Sequence, residues 1–163
     1  LGIASVQPQR TDWLAGNRPE VAGPFDAVLI DAPCSGLGVI GRNPDTKWRR
    51  KEKDVLRQAE RQLALACALA DQVKPGGALV YAVCSLEPEE TEAVVSAFLA
   101  RRTDFSVQPA RDHLPSAAHR LVQADGSIRI DPAADPMDGF FMVRLGRRAA
   151  LGCRYCKAPG DPL

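Results

Sequence analysis

The sequence predicts an α/β fold in which helices cover a mostly parallel sheet. Two apolar runs without alternation, Phe25–Ile30 and Ala78–Val83, are typical of strands that are buried on both faces. Between them, apolar residues recur at spacings of three and four across residues 53–73, which predicts a long helix. Because the order is strand, loop, helix, strand, helix, strand, we expect crossover connections between neighbouring parallel strands.

Local signals predict the remaining elements. Residues 4–7 are a weak strand candidate, and Lys74–Gly77 (Lys-Pro-Gly-Gly) predicts a turn after the long helix. Glu87 opens the next helix with acidic residues that suit the positive end of the helix dipole, and we expect this helix to end near Arg101. Further strands are expected at 105–108 and 139–145, separated by irregular chain at 109–127.

The composition is that of an ordinary globular domain. The chain has 163 residues, of which 45% are hydrophobic and 25% charged, and this length fits one domain. No run reaches the roughly 18 apolar residues of a membrane span, and no signal-peptide pattern is present, so we expect no membrane partner. Five cysteines without a secretory signal indicate reduced thiols and a cytoplasmic protein.

Charge is unevenly distributed along the chain. The net charge is only +1, so the chain as a whole lacks the basic excess of many nucleic-acid-binding domains. The stretch Arg42–Arg61 nevertheless holds eight basic and four acidic side chains. Such a stretch is most often a solvated helix surface, and it is also a surface that suits RNA phosphates.

Two cysteines follow the ends of predicted strands. Cys34 lies in the loop Asp31–Gly38 (Asp-Ala-Pro-Cys-Ser-Gly-Leu-Gly), and Cys84 directly follows the second strand. Ligands of α/β sheets bind beyond the carboxyl ends of strands, and a thiolate is a strong nucleophile. Free cysteines are more often small buried apolar residues, which is our interpretation of Cys67 on the helix. For Cys34 and Cys84, both interpretations stay open on position alone.

Other chemistries have weaker support. Cys153 and Cys156 form a single C-x2-C pair, which falls short of the four ligands of a zinc site, so we expect no metal. His113 and His119 lie in irregular chain without a Gly-x-Ser-x-Gly elbow. Residues 36–41 spell G-x-G-x-x-G without opening directly into a helix, so a dinucleotide site is not expected. A dithiol redox protein is a distant alternative.

Four motifs in order resemble RNA 5-methylcytosine methyltransferases. The loop Asp31–Gly38 is similar to the D-A-P-C-S-G-x-G motif of that family, and Lys74–Ser85 is similar to its K-P-G-G…L-V-Y-x-T-C-S motif. Asn43–Trp48 resembles its H-P-D-x-K-W segment, and Asp138–Phe141 matches its closing D-G-F-F strand. The bacterial RsmB (Sun) subgroup, which modifies small-subunit ribosomal RNA, is the most similar.

The resemblance covers residues 1–146 and departs at Val83, where Thr is usual, and at Asn43, where His is frequent. It implies a Rossmann-like S-adenosylmethionine-dependent methyltransferase fold that is truncated, because the first two strands and the Gly-rich loop have no counterpart. We therefore expect residues 1–146 to be the C-terminal portion of the catalytic domain, with an open sheet edge, and residues 147–163 to be a disordered tail. Such a fragment is expected to be weakly active or inactive.

The resemblance implies different roles for the two cysteines. Cytosine C5 is a poor nucleophile, and a thiolate that adds to C6 makes C5 reactive toward a methyl sulfonium. The resemblance implies that Cys84 is this nucleophile, that Cys34 assists breakdown of the adduct, and that Asp31 is a catalytic carboxylate near the base. Two rival hypotheses remain. In one, Cys34 is the nucleophile; in the other, the chain is a non-catalytic RNA-binding domain.

The implied cofactor is S-adenosylmethionine, and the implied partner is RNA, most specifically 16S ribosomal RNA. Asp12, Asp31 and Pro33 match positions that contact the cofactor in the family, although Asp12 also suits a turn. Lys47 and Arg49 are candidates for contacts with RNA phosphates. The target base must be unstacked to reach a site at the strand ends, which fits an RNA loop or bulge. The full-length protein is expected to be a monomer.

Overall fold

The computed structural model describes residues 5–15 and 23–149, and within them five strands form one sheet. The strands are β1 (Phe25–Asp31), β2 (Val73–Val83), β3 (Phe105–Gln108), β4 (Ile128–Ile130) and β5 (Phe140–Arg147). They are ordered β1-β2-β5-β3, with β4 also paired to β5. The α/β class is confirmed, but the expectation of a mostly parallel sheet is wrong. Only β1 and β2 run parallel, because β5 returns between β2 and β3 in the opposite direction.

The predicted long helix is confirmed as α2 (Glu52–Ala70), which follows the one-turn helix α1 (Thr46–Arg49). The side chain of Asp54 accepts the backbone N–H of Lys51 at 3.1 Å and so satisfies a donor at the start of α2. The buried apolar positions of α2 recur at helical spacing and face the core: Val55, Ala66, Leu69 and Ala70. The helix ends three residues earlier than the periodicity predicts.

The next helix, α3 (Glu92–Arg101), begins five residues later than predicted. Residues 87–91 form turns instead, and the hydroxyl of Thr91 donates to the carbonyl oxygen of Glu87 at 2.8 Å. In this arrangement the carboxylate of Glu90 is buried rather than exposed at a helix start. The prediction that these acidic residues open the helix is therefore wrong, since they lie in the turns that precede it.

The predicted turn at Lys74–Gly77 lies within β2 as an irregularity of the β1–β2 pairing. Phe25 pairs with Val73, but Ala27 pairs with Ala78, so four residues of β2 lie opposite a single residue of β1. Gly76 has φ of +83°, a backbone conformation that favours glycine. The glycine-containing segment therefore forms an irregularity inside a strand, and not a turn between two elements.

Two further expectations need correction. The strand candidate at residues 4–7 is not a strand where the structure describes it, since residues 5–7 are exposed and unpaired in the sheet, while Ala4 lies outside the described residues. The irregular stretch 109–127 holds two 3-10 helices, Ala110–His113 and Ser116–Leu121, and β4 follows without a sequence prediction. Residues 150–163, most of the expected tail, lie outside the described residues, and β5 extends to Arg147.

The core lies where α2 and α3 pack against the sheet. Its largest fully buried apolar side chains are Tyr81, Phe98, Phe141, Leu79 and Leu145. The rings of Phe98 and Phe105 meet edge to face with 5.3 Å between centroids. At the opposite margin, β1 pairs only with β2 among the described strands, and Leu29 is 68% exposed. No helix in the described residues has the length and apolar character that a membrane span requires.

Candidate active site

The parallel pairing of β1 with β2 brings two cysteines together. Asp31 pairs with Ala82, and the N–H of Ala32 donates to the carbonyl oxygen of Ala82 at 2.9 Å. Cys34 lies three residues after Asp31, and Cys84 lies two residues after Ala82. Their Sγ atoms lie 3.1 Å apart, and both side chains are partly buried. The structure thus joins the two strand-end thiols that the sequence singled out.

Backbone hydrogen bonds fix the Cys34 loop against the Cys84 segment. The N–H of Gly38 donates to the carbonyl oxygen of Cys84 at 3.0 Å, and the N–H of Gly139 donates to the carbonyl oxygen of Gly38 at 2.7 Å. Arg42 forms an ion pair with Asp138 next to this contact. Three of the motifs that are distant in sequence therefore meet at one end of the sheet.

The surroundings of the Cys34 thiol favour its protonated form. Burial raises the pKa of the Cys34 thiol far above its ordinary range, and the hydrogen bond with Cys84 and the charges of Cys84 and Glu90 raise the pKa further. Cys34 therefore remains a protonated thiol at neutral pH and can donate its proton toward the sulfur of Cys84.

A buried polar network that the sequence analysis missed lies beneath the thiols. Glu90 accepts the backbone N–H of Ser35 at 2.8 Å, the hydroxyl of Ser35 at 2.5 Å and the amide of Gln62 at 3.0 Å. The same amide group lies 3.0 Å from the carbonyl oxygen of Pro33. One signal was available, because Gln62 is a polar residue at an otherwise apolar position of the α2 stripe. Glu90 gave no separate sequence signal, because it lies in a run of acidic residues.

The predicted cofactor residues are near the surface at this end of the sheet or on the preceding chain. Asp31 and Pro33 are exposed at the carboxyl end of β1. Asp12 is also exposed, and its Oδ1 accepts the N–H of Leu14 at 3.0 Å. This is the hydrogen bond expected of the turn alternative, so one oxygen of Asp12 is engaged locally.

The predicted RNA-contacting residues lie on α1, beside an exposed aromatic ring. Lys47 and Arg49 are both exposed, and the Nζ atom of Lys47 lies 5.4 Å from the ring centroid of Trp48. The side chain of Trp48 is 81% exposed. Arg50 connects this segment to the cysteine loop, since its Nε donates to the carbonyl oxygen of Ser35 at 2.7 Å.

Within residues 5–15 and 23–149, no group of three or more His, Cys, Asp or Glu side chains could hold a metal ion. Cys153 and Cys156, the C-x2-C pair considered from the sequence, lie outside the described residues. Cys67 is partly buried and packs against the core, in keeping with its interpretation as an apolar helix residue.

Comparisons with known proteins identify the family of the chain. The family model described as 16S rRNA methyltransferase RsmB/F matches residues 2–146. A probable ribosomal RNA small subunit methyltransferase B from Bacillus subtilis is 35% identical over 149 residues, which cover 91% of this chain and 33% of that protein. The chain therefore spans about a third of the length of this relative.

Solved structures show the same fold. The crystal structure of PH0851 is 35% identical with a TM-score of 0.77, covering 88% of this chain and 31% of that chain. NSun6 from Pyrococcus horikoshii, solved with SFG, is 24% identical with a TM-score of 0.70, covering 91% of this chain and 36% of that chain. The fold is thus the Rossmann-like fold of these methyltransferases. With the family model matching nearly all of the described residues, the chain belongs to the 16S rRNA methyltransferase RsmB/F family.

Proposed function

We propose that this chain carries the nucleophile-bearing part of an enzyme that methylates cytosine C5 in RNA, with 16S ribosomal RNA as its substrate. The observation that carries the proposal is the separation of 3.1 Å between the Sγ atoms of Cys34 and Cys84 at the strand ends. A reaction that forms and then breaks a covalent adduct at one ring position can use one group as the nucleophile and a second group beside it to assist release. Family membership supports an RNA methyltransferase, and the thiol pair supports the cytosine chemistry.

Cys84 is the nucleophile in this proposal. Its thiolate adds to C6 of cytosine, a C6–S bond forms, and electron density shifts to C5. S-adenosylmethionine, when bound, supplies the methyl group as a sulfonium. After C5 has taken up the methyl group, loss of the C5 proton and cleavage of the C6–S bond restore the aromatic ring and the Cys84 thiolate. The enzyme sulfur is therefore regenerated in each turnover.

Cys34 assists the release step as a protonated thiol. Burial raises the pKa of Cys34, which keeps a proton on this sulfur beside the one that forms the adduct. When the C6–S bond breaks, the leaving sulfur of Cys84 gains negative charge, and the S–H group of Cys34 can stabilise it by a hydrogen bond. Asp31, exposed at the end of β1, is the carboxylate assigned to the edge of the base.

The same strand end suits a methyl donor. Asp31 and Pro33 are exposed there, and an exposed carboxylate is a suitable acceptor for the hydroxyl and ammonium groups of S-adenosylmethionine. Asp12 is the third proposed contact, through the oxygen that is not bonded to Leu14. We assign these three residues to binding and orientation of the donor.

The surface of α1 suits an RNA strand. Lys47 and Arg49 supply positive charge for phosphates, and Trp48 exposes a ring on which a base can stack. Lys47, Arg50 and Lys51 also line a cavity of about 270 Å³ beside the cysteine loop. A ribosomal RNA substrate would place the protein in the cytoplasm.

The test is methyl transfer from labelled S-adenosylmethionine to 16S ribosomal RNA, followed by nucleoside mass spectrometry. We expect 5-methylcytosine from a protein extended upstream to the length of its relatives, and little or none from this chain alone. RNA binding by the extended protein without methyl transfer would favour the non-catalytic alternative. Methylation at another base or atom would contradict the cytosine chemistry, and equal activity of both proteins would contradict a partial site.

A further inference from the structure

Glu90 is a buried acidic residue with no assigned role in the reaction. It has 0% of its surface exposed, and its carboxylate oxygens accept three hydrogen bonds, two from Ser35 and one from Gln62. The backbone N–H of Ser35 and the amide of Gln62 share one carboxylate oxygen, and the hydroxyl of Ser35 contacts the other. Its carbonyl oxygen also accepts the hydroxyl of Tyr81 at 2.7 Å. Burial of a charge is costly unless it is bonded in this way, so the site is specifically built around the carboxylate.

The network of Glu90 reaches both cysteine segments. Ser35, which directly follows Cys34, donates two hydrogen bonds to Glu90. The hydroxyl of Ser35 lies 3.3 Å from that of Ser85, which directly follows Cys84. Glu90 therefore holds the Cys34 loop directly and the Cys84 segment only through one intervening hydroxyl.

The charge of Glu90 is not neutralised by a cation. Among the ion pairs formed within residues 5–15 and 23–149, none includes Glu90. The polar groups from neighbouring elements that bond to Glu90 are the hydroxyl of Tyr81 from β2 and the amide of Gln62 from α2. Arg50 is the nearest cation to this network, and its Nε donates to the carbonyl oxygen of Ser35 instead. In a site of low dielectric, an uncompensated negative charge makes the ionisation of a neighbouring thiol less favourable.

We propose that Glu90 is a positioning residue, whose buried carboxylate fixes the Cys34 loop beside Cys84 and whose negative charge helps to keep Cys34 protonated. This inference deepens the proposed function and rests on it for the name of the nucleophile. The charge of Glu90 acts on Cys34, because the Glu90 carboxylate bonds directly to the residue that follows Cys34. Burial and the charge of Glu90 both raise the pKa of Cys34, which agrees with this role.

The charge is tested by Glu90→Gln, which leaves the shape of the side chain unchanged. The amide oxygen can accept the bonds from the Ser35 N–H and Gln62, and the amide N–H can donate to the Ser35 hydroxyl, which then donates to Ser85. We expect Cys34 to react with iodoacetamide measurably faster at fixed pH, since the charge of Glu90 raises the pKa of Cys34 and its removal increases the thiolate fraction. The initial rates at Cys34 and Cys84 are measured by peptide mass spectrometry on the 163-residue chain.

The matched control is Glu89→Gln, which removes the same charge from the neighbouring exposed carboxylate. We expect no change in the rate at Cys34. An unchanged rate in Glu90→Gln, or an equal increase in both variants, overturns the electrostatic role. Because alkylation requires no methyl transfer, this result stands independently of whether the chain or its extended form is an active enzyme.

The positioning role is tested separately by Ser35→Ala, which also serves if Glu90→Gln fails to fold. This variant keeps the backbone N–H bond to Glu90 and removes the hydroxyl that connects Glu90 to Ser85. We expect oxidation of the Cys34–Cys84 pair to a disulfide by diamide, which is itself reduced to its hydrazine, to slow several-fold. The rate of Cys34 alkylation should stay low, because Glu90 remains charged. Disulfide formation at the wild-type rate overturns the positioning role.

Discussion

The backbone of Gly38 lies against the backbone of Cys84, with its N–H donating to the Cys84 carbonyl oxygen at 3.0 Å. A Cβ atom at position 38 would lie 2.9 Å from that oxygen and 2.2 Å from the carbonyl oxygen of Gly139. Both neighbours are backbone atoms, so neither can move aside at low cost. The second glycine of the cysteine loop is thus required by a close contact between three chain segments, and not by a phosphate-binding loop.

Substitution of Gly38 by alanine should therefore destabilise the chain. We expect a loss of about 1–3 kcal/mol in the free energy of unfolding, as for other overpacked sites, measured by urea denaturation. Gly41→Ala is the matched control, because a Cβ atom there would have no neighbour within 4 Å, and its cost should stay below about 0.5 kcal/mol. Equal stability of the two variants would show that the close contact is absent in solution.

The two thiols should form a disulfide readily when the folded chain is oxidised with diamide. Their Sγ atoms are 3.1 Å apart, and a shift of about 1 Å reaches the S–S bond length. Peptide mapping should find a disulfide between Cys34 and Cys84. It should find no cross-link at Cys67. Cys34→Ser should leave Cys84 uncross-linked under the same conditions, whereas a pairing of Cys84 with Cys67 would contradict the arrangement of the strand ends.

Much of this site could be predicted because it depends on local signals. The apolar runs ending at Asp31 and Val83 locate the two strands, and their parallel pairing brings Cys34 and Cys84 together. The antiparallel insertion of β5 was not predictable from its own residues, because an apolar run carries no information on strand direction. β4 was missed because three residues are too short to show a period.

The Glu90 network was missed for a related reason. Its bonds join residues that are 28 and 55 positions apart, and none of them follows from a helical or strand period. A polar residue on an apolar helix stripe, as at Gln62, is the one local sign that such a network exists. The physical role of a motif residue such as Ser35 becomes clear only when its partner segment is known.

The pairing of Asp104 with arginines should make stability depend on pH. Hydrogen bonds from Arg102, at 2.9 and 3.0 Å, lower the pKa of Asp104 to about 2. Because the folded-state pKa is below the unfolded value near 3.9, the stabilisation is present above about pH 4 and is lost as the pH falls through about 2. Asp104 is partly exposed, so solvent screening limits the effect to about 1 kcal/mol at most.

Asp104→Asn should therefore be less stable than the wild type at pH 7, and the difference should shrink as the pH falls from about 4 through about 2. Chemical denaturation at a series of pH values measures this convergence. Asp26→Asn is the control, because the ion pair of Asp26 with Lys74 is exposed and we expect no measurable change. A constant difference between Asp104→Asn and the wild type across the pH range would contradict the assignment.

The exposed ring of Trp48 should contribute to RNA binding. Loss of one base-stacking contact costs about 1–3 kcal/mol, so Trp48→Ala should raise the Kd for a single-stranded RNA at least about fivefold. Trp48→Phe retains an aromatic face and should recover part of the affinity. Fluorescence anisotropy with a labelled oligonucleotide measures both, and thermal unfolding should be unchanged because the ring is 81% exposed. An unaltered Kd for Trp48→Ala would remove α1 from the RNA surface.

The covalent adduct in cysteine variants tests the central claim most directly. In the protein extended upstream, Cys34→Ala should accumulate a covalent complex with RNA in the presence of S-adenosylmethionine, because the step that releases Cys84 is slowed. Cys84→Ala should form no complex, and mass spectrometry of the digested Cys34→Ala complex should locate the nucleotide on Cys84. A complex that forms in Cys84→Ala with the nucleotide on Cys34 would instead show that the roles of the two cysteines are reversed.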